Sequence, residues 1–269
     1  MSGTGGYGAV TRSTLRQQIA DALRDEVLAG RLQPGQEFTV KEIAEQYGVS
    51  ATPVREALVD LSAQGLLDAD QHRGFRVHEY SLEDFRDMTE ARALITDGIF
   101  RNLLSDADAL TGAVAGGSAA EAVRTVDGRP AIPAGPRVRA AQAALAAGTD
   151  DPRTAAALTG VRRRGEEAQR AAEAGDMNIL IGYDLRFWRE LSALFGNPYL
   201  ADFLHRLRVQ SWACAVQHLR RLPDLRGCLW SGHGELVDAL ADRDAAAAHA
   251  IVTAYNTHTL ALIDRLAGE

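Results

Sequence analysis

Side chains able to hydrogen-bond a charged surface gather between positions 41 and 74. Ser50, Thr52 and Arg55 lie close enough to share one helix face. The planar guanidinium of Arg55 can donate to both acceptors of a guanine, a pairing worth about 1–3 kcal/mol of base discrimination. The Ser50 and Thr52 hydroxyls suit phosphate contacts, which fix register without reading sequence. Lys41 stands upstream, and His72-Arg73-Gly74 follow at what reads as a hairpin tip. Together these residues suit recognition of double-stranded DNA. The same types would also fit a protein-interaction module, with Arg55 solvated or paired to Glu56 or Asp60.

The elements that must position them can be read from punctuation and periodicity. Leu15, Ile19, Leu23 and Val27 recur every four residues, an apolar stripe on a helix that Gly30 can stop. Pro34-Gly35 forces a turn. Thr39 and Glu42 have capping-box spacing, so a short helix opens there with Ile43, Ala44 and Tyr47 inward, and Gly48 permits a sharp turn. Ser50 or Thr52 can cap the next helix, with Pro53 in its first turn and Val54, Ala57, Leu58 and Leu61 buried. Gly65 ends it, and residues 66–69 and 75–77 read as a two-stranded hairpin. Two short helices joined through a glycine turn and followed by a hairpin have a mechanical use. The second helix enters a major groove and the hairpin reaches the backbone or an adjacent groove.

Beyond Ser81 the pattern is helical, without a convincing strand. A first helix begins around Phe85 and Met88, and further segments are expected at 161–174, 178–195, 198–222 and 225–242. Asp244 caps a last helix reaching Leu266. Between Gly112 and Gly160 the chain is rich in Ala and Gly, and 112–136 reads as a flexible insertion. The expected fold is therefore mainly α: a flexible tail at 1–10, a winged helix-turn-helix at 11–80 with a small hairpin wing, and an all-helical bundle at 81–269.

Bulk properties set limits. A length of 269 residues suggests two domains, and 46% apolar with 24% charged residues suits packed cores. No run approaches the roughly 18 apolar residues of a membrane span, and the N-terminus lacks a signal-like apolar region, so a cytoplasmic protein is expected. Cys214 and Cys228 are read as buried, reduced thiols. The net charge is −7, and up to Tyr80 eight basic residues face eleven acidic ones. Any DNA-binding surface must then be a local basic patch. No nucleophile motif, phosphate loop or paired-carboxylate pattern appears, so no catalytic residue and no enzyme is expected.

The run from Gly30 to Gly35 (GRLQPG), the box from Lys41 to Leu58 (KEIAEQYGVSATPVREAL), Gly65-Leu-Leu and Arg73-Gly-Phe-Arg-Val77 resemble the GntR family of bacterial regulators. The resemblance implies a winged-helix DNA-binding domain and a homodimer reading a short palindrome. Many relatives carry Arg after the serine of the turn; Ala51 stands there, which shifts base reading onto Arg55 and Lys41. Arg92, the Asp184–Trp188 segment and Gly196-Asn-Pro198 resemble the FCD effector domain of the FadR-like subgroup. That subgroup's pattern is Asp-x-x-x-His plus two later histidines around a divalent metal. Asp184 and His233 match, but Trp188 and Tyr255 stand where histidines are expected.

Two ligands make a poor site, so no metal cofactor is expected. A shifted set of Asp184, His233 and His258 is the alternative, against the plainer reading of His249 and His258 as surface or interface histidines. The aromatics suggest an apolar pocket instead. Trp188 and Tyr255, with Trp212 as a further candidate, would surround Arg92, Asp184 and His233 and hold a small organic effector. Core filling by the same aromatics is the other outcome. The expected function is a ligand-responsive repressor released from its operator by that effector. Two rivals remain, a helical domain that only dimerises and a metal-dependent all-α enzyme using Asp184, His233 and His258.

Overall fold

The structure, a computed structural model, describes residues 8–70, 73–113, 125–126, 129–130, 135–147 and 150–267. His72 and most of the 112–136 insertion lie outside the described residues. The chain forms two compact units: one runs up to Phe85 and adds Gln210–Arg221, the other comprises Arg86–Val209 and the chain from Leu222 on.

In the first unit, α1 (Gly8–Leu28) starts within the stretch read as a tail, because no proline or glycine interrupts the chain between Ala9 and Leu28. Ile19, Leu23 and Val27 of its stripe are buried, and α1 packs on α3 (Ala51–Ala63). Helix α2 (Val40–Tyr47) opens with the expected capping box, the Glu42 N–H donating to Thr39 Oγ1 and the Thr39 N–H to Glu42 Oε2. It closes on Gly48 in the left-handed conformation. Ser50 occupies the cap position of α3 but makes no side-chain capping bond. Val54, Ala57, Leu58 and Leu61 are fully buried. That apolar stripe fixes which face of α3 looks outward.

The wing has three strands, one more than the two read from the sequence. β2 (Leu67–Asp70) and β3 (Gly74–Val77) pair antiparallel, and β1 (Glu37–Phe38) joins the other edge of β3. Gly74, with φ 100°, is required there: a Cβ would stand 2.7 Å from the Phe38 carbonyl oxygen. The C-terminal part of α8 (Pro198–Leu219) completes this unit. Gln210 Nε2 donates to the Gln64 carbonyl at the end of α3, 2.8 Å away, and the Cys214 thiol faces the Ser81 carbonyl at 3.6 Å. The boundary near residue 80 therefore leaves out a segment that returns to the first unit 125 residues after Phe85.

The second unit is helical. It contains most of α4 (Leu82–Ala113), then α5 (Pro136–Ala147), α6 (Pro152–Ala174), α7 (Met177–Ala193), the start of α8, α9 (His233–Ala241) and α10 (Ala245–Ala267). A two-residue antiparallel pair, β4 (Thr125–Val126) with β5 (Arg129–Pro130), interrupts the expected all-helical pattern. The expected helix at 225–242 shortens to α9, because Gly227 takes a positive φ and the chain turns until the Gly232 cap. Helix α8 stops at Leu219, ahead of Pro223. Asp244 caps α10, its carboxylate accepting from the Ala247 N–H at 2.8 Å. Helix α6 packs on α7 and α9, and α9 on α10. Gly165 allows that approach, since a Cβ there would lie 3.0 Å from the Phe187 ring and 3.1 Å from His233 Cβ. His233 is thereby held in the bundle interior, fully buried.

Candidate functional site

Burying Val54, Ala57, Leu58 and Leu61 leaves Ser50, Ala51, Thr52, Arg55 and Val59 exposed on α3. A groove of about 830 Å³ runs beside them, bounded by α2, α3 and the wing and lined by Lys41, Glu45, Arg55, Asp70 and Gly74 among others. Arg55 makes no ion pair among the described residues; Asp60, a possible partner, instead takes Arg16 at 3.1 Å. Lys41 is 85% exposed and only loosely paired with Glu45 at 3.8 Å. Arg73, on the wing, is 73% exposed and 3.9 Å from Glu37. Such long, solvated pairs contribute at most about 1 kcal/mol and exchange readily for phosphate. Lys41 and Arg55 thus face one open groove that Glu45 and Asp70 also line, while Arg73 stands exposed on the wing. The role of Gly74 is steric; it seats the wing.

The second group of residues meets inside the helical unit. Asp184 on α7 is buried and its Oδ1 accepts from Trp188 Nε1–H at 3.0 Å and lies 3.1 Å from His233 Nε2. Tyr255 on α10 approaches Trp188, with ring centres 5.3 Å apart. Arg92 on α4 is buried, donates to Asn256 Oδ1 at 3.3 Å and lies 5.4 Å from the centre of the Tyr255 ring. All five residues expected to line an effector site therefore come together. Trp212 lies in the segment of α8 that clusters with the first unit. Trp230 supplies the third ring, stacked on Trp188 at 6.2 Å and 4.7 Å from Tyr255.

Arg208 is the other residue not singled out from the sequence. It lies flat on Trp188, its guanidinium carbon 3.6 Å from the ring centre, and Nη1 donates to the Tyr255 hydroxyl at 3.2 Å. Burial pushes its pKa down to about 10, partly offset by Tyr255 and Asp184, so it stays charged near neutral pH. A signal existed: Leu204, Leu207, Arg208 and Ser211 follow helical spacing, which puts Arg208 on the buried stripe of α8.

These residues do not fit a divalent metal. His233 Nε2 faces the Asp184 carboxylate at 3.1 Å, and two ligands alone make a poor site. Trp188 turns a donor N–H towards the carboxylate, and a guanidinium covers the indole. His258 is not part of a shifted set, because its Nε2 faces the Cys228 carbonyl at 2.9 Å. His249 pairs with Asp97 at 2.7 Å. No group of three or more His, Cys, Asp or Glu gathers as a metal site among the described residues.

A winged helix-turn-helix whose open recognition face carries Arg55 and Lys41, together with a helical unit, defines a DNA-binding regulator by class. The chain carries a DNA-binding domain of the gntR family of bacterial regulatory proteins, matched over residues 15–77, and an FCD domain, matched over 139–258. It is 37% identical over 97 residues to a probable D-xylose utilization operon transcriptional repressor of Paenarthrobacter nicotinovorans, covering 36% of this chain and 42% of that protein. It is 32% identical over 87 residues to the HTH-type transcriptional regulator McbR of Escherichia coli, covering 32% and 39%. The chain thus spans about two fifths of the length of these curated relatives. Among solved structures, E. coli McbR/YncC aligns with a TM-score of 0.64 over 93% of this chain and 98% of that one, at 20% identity. A GntR regulator from Rhodococcus sp. RHA1 aligns at 0.61 over 94% and 97%, at 18% identity. Those two likenesses establish the fold. The families and relatives are transcriptional regulators, not enzymes. Among the described residues no helix is long and apolar enough to cross a membrane.

Proposed function

We propose that this chain is a transcriptional repressor that binds a palindromic operator as a homodimer and releases it on taking up a small organic effector. The observation that carries the reading is the exposed Arg55, without an ion pair among the described residues, flanked by Ser50 and Thr52 beside an open groove. Arg55 reads bases; Ser50, Thr52, Lys41 and Arg73 hold phosphates. His72, beside Arg73 in sequence, is assigned to the same contact set. Homodimerisation follows from the way helix-turn-helix proteins gain affinity, since two half-sites mirror a two-fold axis.

Effector recognition is assigned to the interior of the helical unit, with Arg92, Asp184, Trp188, His233 and Tyr255 around the ligand. A ligand shifts DNA binding only if it binds the released form better than the operator-bound form. No metal is required in this reading, and the protein works in the cytoplasm. The test is selection of bound fragments from genomic DNA with the full chain, followed by affinity measurement across salt. The expected result is a recurring palindrome, with log K falling as salt rises because neutralised phosphates release counterions. Recovery of fragments without any shared sequence would contradict it.

A further inference from the structure

The first unit holds a second concavity, of about 360 Å³, that shares no lining residue with the groove beside α3. It is formed by the end of α1 and the turn after it, the end of β3 and the tail of α8, all parts of that one unit. Part of its lining is apolar: Val27, Val77 and Val216 are buried there, with Leu32 and Pro34 beside them. Arg220, Arg221 and His78 supply positive or ionisable groups, and Gln33 and Gln217 supply amides. No aspartate or glutamate lines it, on a chain whose net charge is −7. Carboxylates close by in sequence are engaged elsewhere. Glu26 holds Arg31 at 2.6 Å, Asp68 takes Arg76 and the Nδ1 of His78, and Glu79 lies over Gly35.

Gly30 helps to place Arg220. That glycine has φ 66°, and a Cβ there would stand 2.6 Å from Arg220 Nε and 3.3 Å from Cζ. The guanidinium therefore lies against the bare backbone of the turn. Arg221 follows, exposed and without an ion pair among the described residues. Cations at the end of a helix also complement its dipole. That accounts for two arginines after Leu219, but not for the apolar concavity they line. A concave, largely apolar lining with a few polar groups is the usual form of a small-molecule site, whose volumes begin at about 300 Å³.

We propose that this concavity binds a small organic carboxylate, with its carboxylate on Arg220 and Arg221 and its apolar body against Val27, Val77 and Val216. Planar guanidiniums present parallel donors, which match a carboxylate better than an ammonium would. The apolar lining calls for a hydrocarbon body, which an inorganic anion lacks. The modest volume selects a compact one. The site is independent of the effector assignment above, since none of Arg92, Asp184, Trp188, His233 and Tyr255 lines it.

The experiment titrates 3-phenylpropanoate into the full chain carrying methyl-labelled valine, read by NMR at constant ionic strength. The methyl signals of Val27, Val77 and Val216 are expected to shift in a saturable way, while those of Val237 and Val252, buried in the helical unit, stay in place. Neutral 3-phenylpropanamide and inorganic phosphate should leave all five unmoved at the same concentration, because one lacks the charge and the other the apolar body. Arg221→Glu should weaken the apparent affinity at least about tenfold, as expected for a lost charge-assisted hydrogen bond. Its melting temperature should change little, because the residue is exposed. Arg221→Lys keeps the charge and should lose less than the glutamate variant. The proposal is overturned if none of the three lining valines responds, or if the acid moves Val237 and Val252 instead. It is equally overturned if the amide or phosphate acts like the acid, or if both Arg221 variants bind undiminished.

Discussion

Replacing Gly74 by alanine tests whether the wing is seated by sterics. The residue has φ 100°, and an added Cβ would lie 2.7 Å from the Phe38 carbonyl oxygen and 3.3 Å from Thr39 Cα. Both neighbours are backbone, so the strand must move. Gly48 is the internal control, with φ 65° and nothing within 4 Å of its Cβ position. Gly48→Ala should therefore cost only the left-handed torsion, about 1–2 kcal/mol. Gly74→Ala carries a comparable torsional cost and also displaces β1, which pairs Glu37 with Arg76 and Phe38 with Phe75. Losing or stretching two ladder bonds adds about 0.5–1.5 kcal/mol each, for a total near 3–4 kcal/mol. The difference of about 2 kcal/mol corresponds to roughly thirtyfold faster amide exchange through local opening. The reporter is the Val77 amide, which donates to the Gln36 carbonyl at 2.9 Å. Exchange at Val77 in Gly74→Ala no faster than in Gly48→Ala would refute the reasoning.

Other consequences are equally direct. Burial pushes the Cys214 thiol up to about 11, so it should resist a thiolate-selective reagent at pH 8 in the folded protein and react only after denaturation; fast labelling at Cys214 would contradict its placement. The Glu42 carboxyl is held below its ordinary range by bonds from the Thr39 N–H and hydroxyl. A lowered folded pKa contributes stability that is present above the ordinary carboxylate range and is lost as pH falls through the lower folded value. Thr39→Ala should weaken this acid-sensitive component, seen as a flatter stability profile between about pH 5 and 2. Dialysed wild-type protein should contain far less than one divalent metal per chain by elemental analysis, with a melting temperature indifferent to chelator. Trp188→His with Tyr255→His should raise metal uptake by supplying two imidazoles beside Asp184 and His233; no uptake would show that more than the ligands has changed.

The DNA-binding unit is legible because its turns depend on few residues. Thr39 and Glu42 satisfy each other's backbone donors, Gly48 and Gly65 take positive φ, and the α3 stripe is continuous. Strand β1 is not legible, since two residues cannot show alternation and its pairing depends on β3, which lies more than thirty residues further along. In the helical unit Asp184, Trp188, His233 and Tyr255 can be placed by their family positions. Trp230 and Arg208 cannot, for different reasons. Trp230 sits in a turn that reads as helix because its flanking apolar residues mimic the period. Arg208 looks like its exposed neighbour types until Leu204 and Ser211 identify the stripe it shares. Trp212 lies near it on α8, yet its segment clusters with the first unit, a distinction set by long-range contacts alone.

Arg55 offers the most direct test of the central claim. Operator and random duplexes should be titrated at matched salt against wild type, Arg55→Ala and Arg73→Ala. A lost base-reading pair costs about 1–3 kcal/mol on the operator, so Arg55→Ala should bind operator about ten- to a hundredfold more weakly and approach its affinity for random DNA. Arg73→Ala should weaken both duplexes alike and reduce the slope of log K against log salt by about 0.9. Operator preference unchanged in Arg55→Ala would contradict the assignment of α3 as the reading helix.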